Sequence, residues 1–185
     1  MLRFYSAPIY NTGMEYFLDS FTGSLLVKDH VPVTLQKSKS PVPKVIKALD
    51  YSDNPYSLNA ISSCQEKVND NKFIQFYANA LTHACKYAFF LGLNTTRLVR
   101  PYYESTYDAI LAYRALYPGK MQKDLCLPRT LFAASLSKTF KDSGVIFIGV
   151  FLPSRSMHAW IIENQTQPDP NDQIWTNYQP VAALY

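Results

Sequence analysis

The stretch Lys123-Asp-Leu-Cys-Leu-Pro-Arg-Thr-Leu-Phe-Ala-Ala-Ser135 decides the fold, because it fixes where a central helix begins. Proline is tolerated only in the first turn of a helix, so Pro128 predicts a helix that starts at or just before Cys126. The free N–H groups and the dipole at a helix N-terminus stabilise a thiolate and lower the pKa of the thiol. Cys126 is therefore a candidate nucleophile, and the same N–H groups are candidates for an oxyanion hole.

Two more helices are predicted upstream of this stretch. In residues 72–91 apolar side chains recur at three- and four-residue steps, and Gly92 can end the helix. A second helix follows Ser105, whose spacing to Asp108 is that of a possible capping box, and it runs to the breaker at Tyr117.

The downstream part of the chain reads as strands. Residues 145–151 form an apolar, β-branched run that predicts a strand buried on both faces, and residues 158–162 and 178–182 are further candidates. The loop between these two candidates, residues 164–172, contains two prolines that forbid regular pairing. Helices followed by a small antiparallel sheet predict an α+β domain.

The amino-terminal part differs in character. Three short strands are predicted there, over residues 2–10, 15–19 and 24–28, followed by a polar stretch and a short helix near residues 44–49. We place a boundary near residue 70, which divides the chain into a small β-rich module with a linker, residues 1–70, and a larger domain, residues 71–185.

Composition excludes several classes of protein. The 185 residues are 48% hydrophobic and 17% charged, the profile of a chain that folds, and the net charge of +4 is dispersed, so nucleic acid is not expected as a partner. There is no 18-residue apolar stretch and no signal-peptide layout at the start, so we expect a cytoplasmic protein without a membrane span. No Walker-type motif indicates nucleotide binding.

The three cysteines point to a reducing compartment, because their odd number and spacing suit neither a disulfide framework nor a zinc site. Cys85 lies within a helical pattern and is expected in the core, whereas Cys64 lies in the polar linker. His30 and His83 have no cysteine or carboxylate at ligand spacing. No bound metal or other cofactor is expected.

A cysteine nucleophile needs a base, and the base needs a group that orients it. His158, at the head of a predicted strand, is the natural base; Asp169 is a plausible orienting carboxylate, and Asp172 competes with it for that role. Trp160 should share the strand face of His158, where it either shields the imidazole or only packs. Arg129 is expected to be a solvated surface residue rather than a partner of a carboxylate.

Four segments carry a resemblance to a known family. They are Cys126-Leu-Pro-Arg-Thr-Leu, Ser143-Gly-Val-Ile-Phe-Ile-Gly-Val150, His158-Ala-Trp-Ile-Ile-Glu163 and Tyr178-Gln-Pro-Val. Together they look like the lasso-peptide biosynthesis B proteins, transglutaminase-like leader peptidases of bacterial gene clusters, over about residues 73–185. One departure is the absence of a glycine in the turn that follows the His-Ala-Trp strand.

The resemblance implies a papain/transglutaminase-like cysteine peptidase with Cys126 as nucleophile, His158 as base and Asp169 as orienting acid. It implies removal of the leader from a lasso precursor, a macrolactam synthetase as partner, and an ATP requirement in the working complex. Residues 15–28 are similar to the strand, turn and strand of leader-recognition elements, which bind a leader by strand addition; the alternative is a hairpin that only covers the peptidase domain.

Two other functions stay open at this point. The same superfamily contains amidases and transglutaminases, which use a cysteine nucleophile for other acyl transfers. A leader-binding chaperone or scaffold with a vestigial triad is the alternative from a different class of protein.

Overall fold

The computed structural model describes residues 15–18, 25–28, 70–83, 98–118, 125–151, 154 and 156–184. The predicted strand at residues 2–10, the short helix at residues 44–49, the end of the first long helix, Cys64, Cys85 and His30 lie outside these residues. In the two amino-terminal segments only the backbone is described. Strands β1 (Glu15–Leu18) and β2 (Leu25–Lys28) pair antiparallel there, with Glu15 opposite Lys28.

Within the described residues, four helices precede the main sheet. They are α1 (Lys72–His83), α2 (Thr106–Leu116), α3 (Cys126–Leu136) and α4 (Lys138–Ser143). The predicted start of α2 is confirmed, because the Ser105 side chain accepts a hydrogen bond of 3.1 Å from the Asp108 N–H. Among the described residues, none of the helices is long and apolar enough to cross a membrane.

The main sheet has three antiparallel strands in the order β4-β3-β5. They are β3 (Gly144–Phe151), β4 (Ser156–Glu163) and β5 (Gln179–Leu184), and a 3₁₀ helix (Gln173–Asn177) precedes β5. The chain enters the sheet at its centre, since β3 follows α4 directly. The ring of Phe140 occupies the place that a β-carbon on Gly144 would need, so a glycine suits this junction.

Helix α3 lies at the centre of the domain. Every residue from Arg129 to Leu136 is buried, which marks a helix that is covered on all sides. On one side the ring of Phe132 packs against Tyr77 of α1 and Tyr113 of α2, with ring centroids 6.1 and 5.3 Å apart. On the other side α3 contacts β4, the edge strand of the sheet.

The two faces of the sheet pack into different clusters. Alternate residues of a strand point to opposite faces, so Ile146 and Ile148 join the core that the helices form, whereas Phe147 faces the other way. On that second face Phe147 stacks on Trp160, with ring centroids 5.8 Å apart. The prediction that residues 145–151 form a strand buried on both faces is confirmed for the interior of β3.

A tight turn without glycine follows β4. Glu163 and Thr166 exchange two backbone hydrogen bonds of 2.8 and 2.7 Å, and the two residues between them have positive φ, 46° at Asn164 and 64° at Gln165. Two successive positive φ angles are the mark of a type I′ hairpin turn, which asparagine tolerates better than glutamine. The hairpin therefore closes without a glycine, and the backbone at Gln165 is strained.

Replacing Gln165 by glycine should relieve this strain. Because a side chain in the left-handed region costs about 1–2 kcal/mol, and glycine loses part of that gain through its freer unfolded chain, we expect Gln165→Gly to raise the free energy of unfolding by about 1 kcal/mol. Asn164→Gly is the matched comparison and should gain less. Urea denaturation measures both; a loss of stability in Gln165→Gly would contradict the positive φ.

Candidate active site

Cys126 is the first residue of α3, as Pro128 predicted. The residue before it, Leu125, makes no side-chain cap to the first turn, so its side chain leaves the first N–H groups of the helix open. The Cys126 side chain is mostly buried, with 9% of the residue exposed. The thiol therefore sits at the positive end of a buried helix.

Strand β4 contacts α3 through the backbone of Ala159. The Thr130 hydroxyl donates a hydrogen bond of 3.2 Å to the Ala159 carbonyl, and the Ala159 N–H donates to the Cys126 sulfur. Both backbone polar groups of Ala159 thus contact the helix rather than solvent. This attachment places the preceding residue of β4, His158, at the start of α3.

His158 is held on several sides. Its Nε2 lies 2.8 and 2.7 Å from the two carboxylate oxygens of Asp172. Its ring stacks on Trp160, with centroids 6.0 Å apart, and meets the Tyr178 ring at 5.0 Å. The other ring nitrogen, Nδ1, is buried and makes no hydrogen bond to a nitrogen or oxygen of the described residues. Because Asp172 occupies Nε2, Nδ1 is the ring nitrogen left to face Cys126, and the interaction with Cys126 helps to raise the pKa of His158.

The structure brings Asp172 to His158, and not the Asp169 that the resemblance implied. Asp172 bonds His158, whereas Asp169 turns toward Arg114, whose Nη2 lies 2.9 and 2.7 Å from its carboxylate oxygens. The reason is a turn in which the Asp172 N–H donates to the Asp169 carbonyl over 3.0 Å. This turn separates the two carboxylates, and the cation on α2 holds the first of them away from the imidazole.

Arg129 is also corrected, since it is a buried residue and not a solvated one. Only 4% of it is exposed. Its Nε lies 3.5 Å from Asp169 Oδ2, and its Nη2 lies 3.7 Å from Asp172 Oδ2. Its place three residues after Cys126, on the same face of the helix, was the one signal in the sequence that it belongs to the site. Arg114 carried no such signal.

The charges around Cys126 and His158 favour the ionised forms of both side chains. Burial opposes a charge on His158, but the hydrogen bonds to Asp172 and Cys126, with their negative charges, outweigh burial and raise its pKa to about 9. Burial likewise opposes the Cys126 thiolate, yet the hydrogen bond and charge of His158, the Ala159 N–H and the Arg129 cation together lower the pKa of the thiol. The arrangement therefore favours a thiolate beside an imidazolium.

Such a pair can carry out nucleophilic acyl transfer. The thiolate is the reactive form of cysteine, and an imidazolium within hydrogen-bond reach can give its proton to a leaving group. The other described histidine, His83, lies exposed at the end of α1. In the described part of the chain, no group of three or more His, Cys, Asp or Glu side chains is arranged to hold a metal ion.

Comparisons of the chain with protein-family models, with curated proteins and with solved structures found no match.

The lowered pKa predicts selective alkylation of Cys126. We expect iodoacetamide to label Cys126 at neutral pH faster than Cys64 or Cys85, with a rate that falls only when the pH drops through the lowered pKa of the thiol. His158→Ala removes the largest stabilisation of the thiolate and should slow labelling at pH 7 more than about tenfold. Mass spectrometry of labelled peptides across pH measures this; equal, slow labelling of all three cysteines would show that the pair is not preformed.

Proposed function

We propose that this protein is a cysteine peptidase with a papain/transglutaminase-like catalytic domain, and that it removes the leader from a bacterial lasso-peptide precursor. The observation that carries the proposal is the Cys126–His158–Asp172 group, in which a nucleophile at a helix N-terminus meets a base on a strand and an orienting acid. Helices followed by an antiparallel sheet support the proposed fold.

The geometry supports acyl transfer in two steps. The Cys126 thiolate attacks the scissile carbonyl carbon, and the negative charge moves to the carbonyl oxygen, where N–H groups of the first turn of α3 can stabilise it. His158 then gives the Nδ1 proton to the leaving amine, the C–N bond breaks, and a thioester remains. Water adds to the thioester as His158 takes its proton, and the carboxylic acid product leaves with the thiolate restored.

Asp172 has two roles in this reaction. Through Nε2 it fixes the orientation of the ring, so that Nδ1 faces the sulfur. Its negative charge also stabilises the imidazolium that must exist before the leaving amine is protonated. The rings of Trp160 and Tyr178 cover the imidazole and reduce its contact with water.

The assignment of the substrate rests on the sequence motifs. The segments at residues 126–131, 143–150 and 158–163 that resemble the lasso B proteins coincide with the start of α3, with β3 and with β4, the elements that build the site. The antiparallel pairing of β1 and β2 supports leader binding by strand addition near residues 15–28. A macrolactam synthetase that takes the released core peptide, and ATP in the complex of the two, complete the proposal.

Cleavage of a lasso precursor tests this function. A panel of synthetic lasso precursors, incubated with the protein and a lasso synthetase with ATP, should release free leader peptide, which mass spectrometry detects. Cys126→Ala should abolish release, because the thiol that forms the thioester in this mechanism is removed. Release that survives in Cys126→Ala would exclude the peptidase and favour the chaperone; incorporation of an amine into a glutamine-containing peptide without leader release would favour a transglutaminase.

The two aspartates provide matched controls within one loop. Asp172→Asn keeps the shape of the side chain but loses the charge on His158, so we expect turnover to fall at least about 100-fold. Asp169→Asn leaves the imidazole bonded and should lose only about tenfold. The reverse order would return the role of orienting acid to Asp169.

At high pH the rate of turnover should fall, whereas the rate of Cys126 alkylation should not. Below about pH 9 His158 is protonated and can serve as the acid; as the pH rises through about 9 it loses that proton, and leader release should fall. The thiolate survives this change, so labelling of Cys126 should stay high. Paired rate profiles from pH 6 to pH 10 measure both; a parallel fall in the two rates would point to unfolding instead.

A further inference from the structure

Asp169 and Arg129 are buried charges that the reaction as written does not use. Asp169 is 5% exposed and lies between two arginines, Arg114 of α2 at 2.7 Å and Arg129 of α3 at 3.5 Å. Taking an arginine and a carboxylate out of water costs several kcal/mol for each ion, so such pairs are weak devices for stability alone. Stability alone therefore does not explain why these charges lie beside the Cys126–His158–Asp172 group.

Arg129 is the group that joins Asp169 to the site. It approaches Asp169 with Nε and Asp172 with Nη2, so one planar guanidinium contacts both carboxylates. Lysine has a single charged nitrogen and cannot reproduce this fork. Because Arg129 and Cys126 belong to the same turn of α3, the guanidinium ties the helix that holds the nucleophile to the loop that holds the orienting acid.

Arg129 also acts on the thiol through its charge. Its cation is one of the groups that lower the pKa of Cys126. It does not bind substrate directly, since it is 4% exposed and two carboxylates already lie against it. Its influence on chemistry therefore passes through Asp172 and through the field at the sulfur.

We propose that Arg129 is a positioning residue for the Cys126–His158–Asp172 group, and that Asp169 and Arg114 hold it in place. The inference rests on the proposed catalytic role of Cys126. Asp169 lies against both arginines, and it contacts the Nε of Arg129 while the Nη2 of the same guanidinium lies 3.7 Å from Asp172.

Alkylation of Cys126 across pH, together with thermal unfolding, tests Arg129 without any peptide substrate. Arg129→Met should move the midpoint of the labelling profile upward by about one pH unit, which is about tenfold in rate at low pH. Arg129→Lys keeps a cation but loses the fork, so it should restore part of the shift. A folded Arg129→Met with the profile of the unaltered protein would overturn the proposal.

Asp169 and Arg114 separate positioning from stability. Asp169→Asn removes a negative charge that both buried arginines contact, and it should lower the melting temperature. The double variant Arg114→Met/Asp169→Asn removes charges of both signs and should recover most of the melting temperature, while the labelling midpoint and turnover stay impaired because Arg129 has lost its anchor. Recovery of labelling and turnover together with stability would make Asp169 merely structural and would contradict the inference.

Two further comparisons complete the design. Glu104→Gln changes a carboxylate in an exposed pair with Lys138, and it should alter neither stability nor labelling. If Arg129→Met does not fold, the Lys variant and the double variant decide the question by the same two readouts. If the midpoints move as expected but the unaltered protein cleaves no lasso precursor, the peptidase assignment fails while the positioning role of Arg129 stands.

Discussion

The structure depends on a row of buried side chains, in contact with one another, whose charges alternate in sign. The order of contacts is Arg114, Asp169, Arg129, Asp172, His158 and Cys126, so that each cation lies between anions or beside one. Buried ions are tolerated only when they are paired, and removal of any member leaves a neighbour without its compensation. The row ends at the Cys126 thiol, which interacts with the His158 imidazole.

The fold supplies these charges from three separate places. Helix α2 provides Arg114, the start of α3 provides Arg129 and Cys126, and β4 with its following loop provides the rest. Burial of α3 on all sides fixes its rotation, and the bonds that Ala159 makes to α3 fix the height of β4 against the thiol. The type I′ turn at residues 163–166 then sends the chain back so that both aspartates reach α3.

The buried ions are not an arrangement that favours stability. Apolar residues of similar size in place of a buried ion network often stabilise a protein. Here the network lowers the pKa of the Cys126 thiol, whereas burial alone would raise it. The backbone at Gln165 is also strained, and this turn begins the segment that carries Asp172 to His158.

The sequence by itself determined the elements and two of the site residues. Helix and strand periods, the cap at Ser105 and the proline after Cys126 depend on local physics, so α2, α3, β3 and β4 could be predicted within a few residues, and Cys126 and His158 with them. The order of the strands, the burial of Arg129 and the choice between Asp169 and Asp172 depended on the tertiary structure. These features arise from contacts between residues that are distant in the chain, since only the packing of α2 against α3 brings Arg114 within reach of Asp169 and leaves Asp172 for the imidazole.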